Sequence, residues 1–191
     1  DHWLDYISRQ HAQVIDMGLD RFNRVLHRLN LENPAPTVIT VAGTNGKGST
    51  CRVIEALLHS GGYRVGSTLS PHIWRFNERI RLCGEEASDE QICDAFAAVD
   101  LARGNVTLTY FEFSALAALF CIAKEQMDVA ILEIGLGGRL DAFNAIDPDI
   151  AVITSIGLDH QAFLGETREA IGAEKAGILR SGQHVVPVSY T

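Results

Sequence analysis

Apolar residues recur at three- and four-residue spacing over positions 4–15 and 22–29, which predicts two short helices, and Pro34 and Pro36 end the pattern. The β-branched run at Thr37–Ala42 predicts a buried strand. Helical spacing resumes over 49–58 and stops at Gly61 and Gly62, and a second apolar run covers 64–69. These three segments form a βαβ unit. Ser88 with Gln91 spells a capping box ahead of a helix reaching Arg103, and Thr109 with Glu112 spells another ahead of an apolar helix over 113–126. Further strands are expected at 129–134, 150–155 and 183–188, with a helix over 167–179 before the last. Alternating strands and helices imply an α/β fold with a mainly parallel sheet flanked by helices. The chain contains no internal repeat and no low-complexity linker.

Composition narrows the class of protein. At 191 residues the chain is long enough for one domain burying roughly 70% of its unfolded surface. No stretch approaches the ~20 apolar residues of a membrane span. The opening DHWLDYISRQ carries acidic residues where a signal peptide would be basic. The cysteines at 51, 83, 93 and 121 show no C-x-x-C spacing and read as free thiols of a reducing cytoplasm. A formal charge of -8 argues against a nucleic-acid platform. The chain lacks an initial Met and stops within the extended-looking VVPVSYT, which reads as a fragment of a longer protein.

The segment VAGTNGKGST places three glycines and a lysine between the first strand and the next helix. Such a loop turns backbone N–H groups inward at a helix N-terminus, where the helix dipole adds positive potential. It reads as a phosphate cradle, with Gly43, Gly46 and Gly48 allowing close approach and Lys47 offering a mobile charge to the outer phosphates. The pattern departs from G-x-x-x-x-G-K-[ST]: Val41 takes the place of the first glycine and Gly48 that of the hydroxyl.

Two strand ends add candidate ligands for a divalent ion. DVAILEIG leaves Glu133 at the carboxyl end of a strand, the Walker-B-like position suited to Mg²⁺. AVITSIGLDH leaves Asp159 and His160 at the same edge, although Mg²⁺ usually prefers oxygen to imidazole.

GTNGKGST, LSPHIWRFNERI, TYFEF, LEIGLGGRLDAFN, SIGLDH and EKAGI occur in one order along the chain. In this the sequence resembles the folylpolyglutamate synthases and dihydrofolate synthases of the bifunctional bacterial type, within the Mur ligase superfamily, over residues 15–179. The resemblance implies a P-loop NTPase-like central domain, incomplete here. It implies that residues 1–191 are an N-terminal ATP-binding domain whose C-terminal glutamate-binding partner domain is absent. The implied activity is an ATP-dependent amide ligation of L-glutamate to dihydropteroate or folate through an acyl phosphate, in a cytoplasmic monomer that binds neither nucleic acid nor membrane.

By motif match, Gly43, Thr44, Asn45, Gly46, Lys47, Gly48 and Ser49 would hold ATP. Ser70, Glu133 and His160 would hold magnesium, and Lys175 would carry a carbamate. Lys47, Glu133, His160 and Lys175 form the implied catalytic set. Asp16, Met17, Gly18, Thr109, Phe111, Asp141 and Ala142 would bind the pteridine, Phe111 by stacking and Asp141 by accepting paired hydrogen bonds. Read without the resemblance, Lys175 is a surface helix lysine, Phe111 a core residue and Asp141 a turn residue.

One departure is local: Phe143 replaces the family's usual threonine and is expected to reshape the wall beside Asp141. The competing readings are a nucleotide-binding P-loop module or small-molecule kinase without ligase activity, a GTPase, and a Rossmann enzyme. No N-K-x-D motif supports the GTPase, and in GLGGRL Leu140 stands where the last Rossmann glycine would be.

Overall fold

The computed structural model describes residues 2–187. Its strands are β1 (Thr37–Ala42), β2 (Val65–Thr68), β3 (Ile80–Leu82), β4 (Glu85–Glu86), β5 (Val129–Glu133), β6 (Ile150–Ile153) and β7 (His184–Pro187). Its helices are α1 (His2–Ile7), α2 (Asp20–Leu29), α3 (Lys47–Ser60), α4 (Asp89–Arg103), α5 (Tyr110–Lys124), α6 (Gln161–Leu164) and α7 (Arg168–Ala176). The strands form one sheet in the order β4-β3-β2-β5-β1-β6-β7. Pairing is parallel from β2 to β7 and antiparallel from β2 to β4.

Side-chain alternation divides the core between the two faces of the sheet. Ile39, Val41, Val129 and Ile131 join Cys51 of α3 on one face, while Val38, Ala42, Ala130 and Leu132 join the larger cluster containing α2, α4 and α5. Every residue of β5 is buried, as expected for a central parallel strand covered on both sides. Parallel pairing also brings the loops after β1, β2, β5 and β6 to the same edge. Among the described residues no helix is long and apolar enough to cross a membrane.

The predicted elements reappear with shifted ends. Both capping boxes form with reciprocal bonds, at Ser88 with Gln91 and at Thr109 with Glu112. The helix predicted over 4–15 stops at Ile7. There the Ser8 hydroxyl donates to the Asp5 carbonyl at 2.8 Å, and the backbone loosens into turns such as Gln10 N–H to Ile7 O at 3.3 Å. The β3–β4 hairpin was not anticipated from the pattern. Its two-residue turn uses Cys83 and Gly84, both at positive φ, and cysteine is not a residue that signals such a turn. The last position of the strand expected over 183–188, Val188, lies outside the described residues.

Gly66 marks a close contact between the sheet and α5, since a Cβ there would stand 2.7 Å from Ile122 Cγ1. Gly66→Ala should destabilise the domain by about 1–3 kcal/mol through overpacking. Urea unfolding should show a lower midpoint at unchanged slope; an unchanged midpoint would mean the sheet and α5 part easily.

Candidate active site

The loop after β1 is shaped by what it cannot accommodate. A Cβ at Gly43 would lie 1.8 Å from Thr154 Oγ1, and Gly46 sits at φ +81°, where glycine is favoured. The Thr44 amide donates to the Ser155 carbonyl at 2.8 Å and the Asn45 amide to Ser155 Oγ at 3.0 Å. Thr154 Oγ1 in turn donates to the Asn45 carbonyl at 2.8 Å. These bonds lace the loop to the end of β6.

With those two amides engaged, the amides left without a capping partner are those of Lys47, Gly48 and Ser49, the first turn of α3, which has no capping side chain. Helix dipole and orphan N–H groups together suit an anion. Lys47 is the first residue of α3 rather than a solvent-facing loop residue as the sequence suggested. Its ammonium curls back to donate to the Gly43 carbonyl at 3.0 Å and the Thr44 carbonyl at 3.4 Å.

Glu133 ends β5 and is 4% exposed. Its Oε2 accepts from the Ser70 amide at 2.9 Å, and a Cβ on Gly48 would lie 3.6 Å from the same oxygen. Burial raises the carboxyl pKa, opposed by the Ser70 bond and the charges of Lys47 and Arg79. Ser70 and Glu133 therefore touch, beside the start of α3. His160, half-exposed and at φ +47°, shares a cleft with Ser70 but makes no hydrogen bond to that pair. Among the described residues no three His, Cys, Asp or Glu side chains gather into a metal-holding group.

Lys175 is not the surface lysine its helical pattern suggested, being 3% exposed. Burial, joined by the charge of Lys47, lowers its amine to about 8, with Asp159 pulling the other way. The 135–141 loop pins it in place. A Cβ on Gly138 would meet the Glu174 carbonyl oxygen at 2.6 Å, one on Gly177 would meet Arg139 Cβ at 2.4 Å, and Arg139 pairs with Glu174 at 2.9 Å.

A cleft of about 330 Å³ opens beside Ser70. All seven residues expected at the pteridine line it: Asp16, Met17, Gly18, Thr109, Phe111, Asp141 and Ala142. Val14 and Ile15, expected in a helix, line it too. Phe111 presents a ring to the cleft and packs on Gly135, where a Cβ would stand 2.5 Å from the ring. Phe143 does not line the cleft. It is buried behind Phe111, edge-on at 5.8 Å and 87°, so it backs the aromatic wall and is not part of the surface beside Asp141.

Asp141 is committed to its own loop. Oδ2 accepts from the amides of Gly135 at 3.0 Å and Leu136 at 2.9 Å, and Oδ1 accepts from Phe143 at 3.0 Å. Desolvation nevertheless raises its pKa to about 6, outweighing those three bonds. With three lone-pair positions occupied, paired acceptance of a ligand edge by this carboxylate is not available without breaking the loop.

Glu112, read from the sequence only as a cap, offers what Asp141 does not. Its Oε2 accepts from the Thr109 amide at 2.8 Å and from Arg21 at 2.9 Å, while Oε1 is buried with no partner among the described residues; the residue lines the cleft. Arg21 also binds Asp16 at 2.6 Å and so ties the 14–18 segment to the start of α5. Arg79 and Tyr110 are further cleft residues that no spacing signal identified.

Residues 41–186 match the Mur ligase middle domain. The chain belongs to the Mur ligase family. It is 52% identical over 179 residues to the dihydrofolate synthase/folylpolyglutamate synthase of Escherichia coli K12, a match covering 94% of this chain and 42% of that protein. The structure of E. coli FolC in complex with DHPP and ADP superposes with a TM-score of 0.96 at 50% identity, covering 97% of this chain and 45% of that one. The bifunctional enzyme from Yersinia pestis complexed with AMPPNP and Mn ion superposes at 0.93 and 50% identity, with 97% and 45% covered. This Mur ligase chain thus spans less than half the length of the relatives it matches.

Two measurements test the site of this Mur ligase chain. Asp141→Asn would turn an amide NH₂ toward a backbone N–H whichever way it is flipped, and should destabilise the protein by about 1–3 kcal/mol. Equal denaturant midpoints for wild type and variant would overturn the loop role of Asp141. The Lys175 amine should titrate near 8 and not at its ordinary 10.5, followed by the carbon shift beside the amine. Because the folded-state pKa is lowered, the unfolded chain binds the extra proton, so this group's contribution to stability should rise with pH between about 8 and 10.5.

Proposed function

We propose that the full-length protein is an ATP-dependent ligase that joins L-glutamate to dihydropteroate, to a folate, or to both, through an acyl phosphate. The observation that carries this reading is one juxtaposition. An uncapped helix start suited to phosphate adjoins the Ser70–Glu133 pair, and Ser70 lines a cleft with an aromatic wall and a buried acceptor lacking a donor. A flat heterocycle answers the Phe111 face, and Glu112 at the cleft carries an oxygen without a donor. The bound ligands named for the relatives, DHPP with ADP and AMPPNP with Mn, support the same assignment.

In this reading the amides of Lys47, Gly48 and Ser49 receive the outer phosphates, Gly43 and Gly46 give the loop its shape, and Lys47 leaves its two carbonyls to follow the transferring charge. Thr44 and Asn45 serve the nucleotide by fixing the loop. Ser70 and Glu133 are hard oxygen donors that fit a divalent ion such as Mg²⁺, with His160 as a further ligand and water or phosphate completing the shell. Such an ion supplies charge neutralisation between phosphate and carboxylate. Lys175, with a depressed amine pKa, is available in its neutral form to take up CO₂ as a carbamate, which reverses its charge beside Lys47. Glutamate and closure of the nucleotide site are assigned to a C-terminal domain beyond this chain.

Lys47→Ala should abolish measurable binding of an ATP analogue in calorimetry while leaving the unfolding transition in place, since the side chain fills no core space. Glu133→Gln should retain nucleotide binding but lower ligase turnover by orders of magnitude at saturating Mg²⁺. Normal affinity in the first variant or near-normal turnover in the second would overturn the corresponding role.

A further inference from the structure

Arg79 closes the short turn Phe76–Arg79 immediately before β3, and its carbonyl accepts from the Leu69 amide at 3.0 Å. That position holds the side chain over the edge of the sheet, where it lines the cleft together with Ser70, Tyr110 and Phe111. Its Nε donates to His72 Nδ1 at 2.8 Å, and its guanidinium carbon lies 5.6 Å from the Tyr110 ring centre and 5.9 Å from that of Phe76. One nitrogen is anchored and the plane is set by two rings.

The guanidinium has no carboxylate within 4.0 Å among the described residues. The other arginines without an acidic partner, Arg9, Arg24, Arg28, Arg64 and Arg168, are all exposed, where water screens the charge. Arg79 alone among these is half-buried. Burial presses its pKa below the ordinary arginine value, opposed by Tyr110 and Glu133, yet arginine does not give up its proton in a protein. A half-buried cation whose terminal nitrogens make no hydrogen bond among the described residues is the state that an incoming anion relieves.

We infer that Arg79 binds the reacting carboxylate of the acid substrate, receiving it on its terminal nitrogens at the end of the cleft nearest Ser70 and Glu133. The inference rests on the ligase reading above and adds to it the residue that selects an acid over a neutral analogue. A carboxylate is favoured over a phosphate because Arg79 lines the aromatic cleft, whereas the anion-binding amides belong to the start of α3. Its planar fork matches two carboxylate oxygens, and His72 fixes the direction in which that fork points.

The test is calorimetric titration of the full-length protein with pteroate and with its methyl ester, without nucleotide or divalent ion, in wild type, Arg79→Met and Arg79→Lys. Methionine keeps an apolar stem against Phe76 and Tyr110. Wild type should prefer the acid to the ester by about tenfold to a hundredfold, as expected for charge-assisted bonds. Arg79→Met should bring that ratio close to one while leaving ester affinity within about twofold, and Arg79→Lys should keep an intermediate ratio. Affinity for an ATP analogue with Mg²⁺ should be unchanged in both variants.

An unchanged acid-to-ester ratio in Arg79→Met overturns the inference, as does equal loss of both ligands, which would leave Arg79 a purely structural role. Loss of ATP-analogue affinity with the ratio intact overturns it in favour of a phosphate contact. Failure of pteroate and ester alike to bind wild type overturns the ligase reading itself, and this inference with it.

Discussion

The site depends on a contact that leaves no room for a side chain. The loop leaving β1 crosses the end of β6 so closely that Gly43 and Thr154 occupy adjoining space, and hydrogen bonds among Thr44, Asn45, Thr154, Ser155 and Gly157 close the seam. Parallel pairing of β1 with β6 and β5 places three strand ends at one level, and this seam converts that alignment into a rigid edge. The start of α3, the Glu133 carboxylate and the Ser70 amide then take their positions relative to a fixed reference. A more slack loop would leave the first-turn amides without a defined direction.

Much of this was legible in the chain because the signals are local. Strand and helix identities follow from period-two and period-3.6 patterns, and both capping boxes form as Ser88, Gln91, Thr109 and Glu112 spell them. The residues grouped at the cleft through family resemblance lie far apart in sequence, and the fold brings all seven to one surface. What escaped depends on neighbours distant along the chain. The burial of Lys175 comes from the docking of the 135–141 loop onto α7, which no helical pattern encodes. The N-terminal helix stops at Ile7 in local turns, and Val14 and Ile15 line the cleft, so an apolar pair imitates a core stripe.

The roles of carboxylates show the same limit more sharply. Asp141, Glu112 and Glu133 all reach the site, and sequence motifs direct attention to the first and last. Geometry separates them by what each oxygen already accepts. Asp141 is filled by three backbone amides, Glu133 by one, and Glu112 carries an oxygen with none among the described residues. A capping box conceals this last property, because the sequence reports the cap through one oxygen and says nothing of the other. The burial that raises the pKa values of Asp141 and Glu133 is a consequence of the same edge being dry enough to make unmet valences consequential.

The interlock of Gly138 and Gly177 bears on motion. Each glycine lies against backbone or Cβ atoms of the other segment, with no compressible side chain between them, and Arg139 bridges to Glu174 over the joint. Close-packed surfaces of this kind transmit displacement instead of absorbing it. The loop holding Asp141 and the helix holding Lys175 accordingly form one packed unit. Leu136 and Ala142, which line the cleft, and the buried Lys175 amine thus stand on two sides of one joint that has no slack to take up.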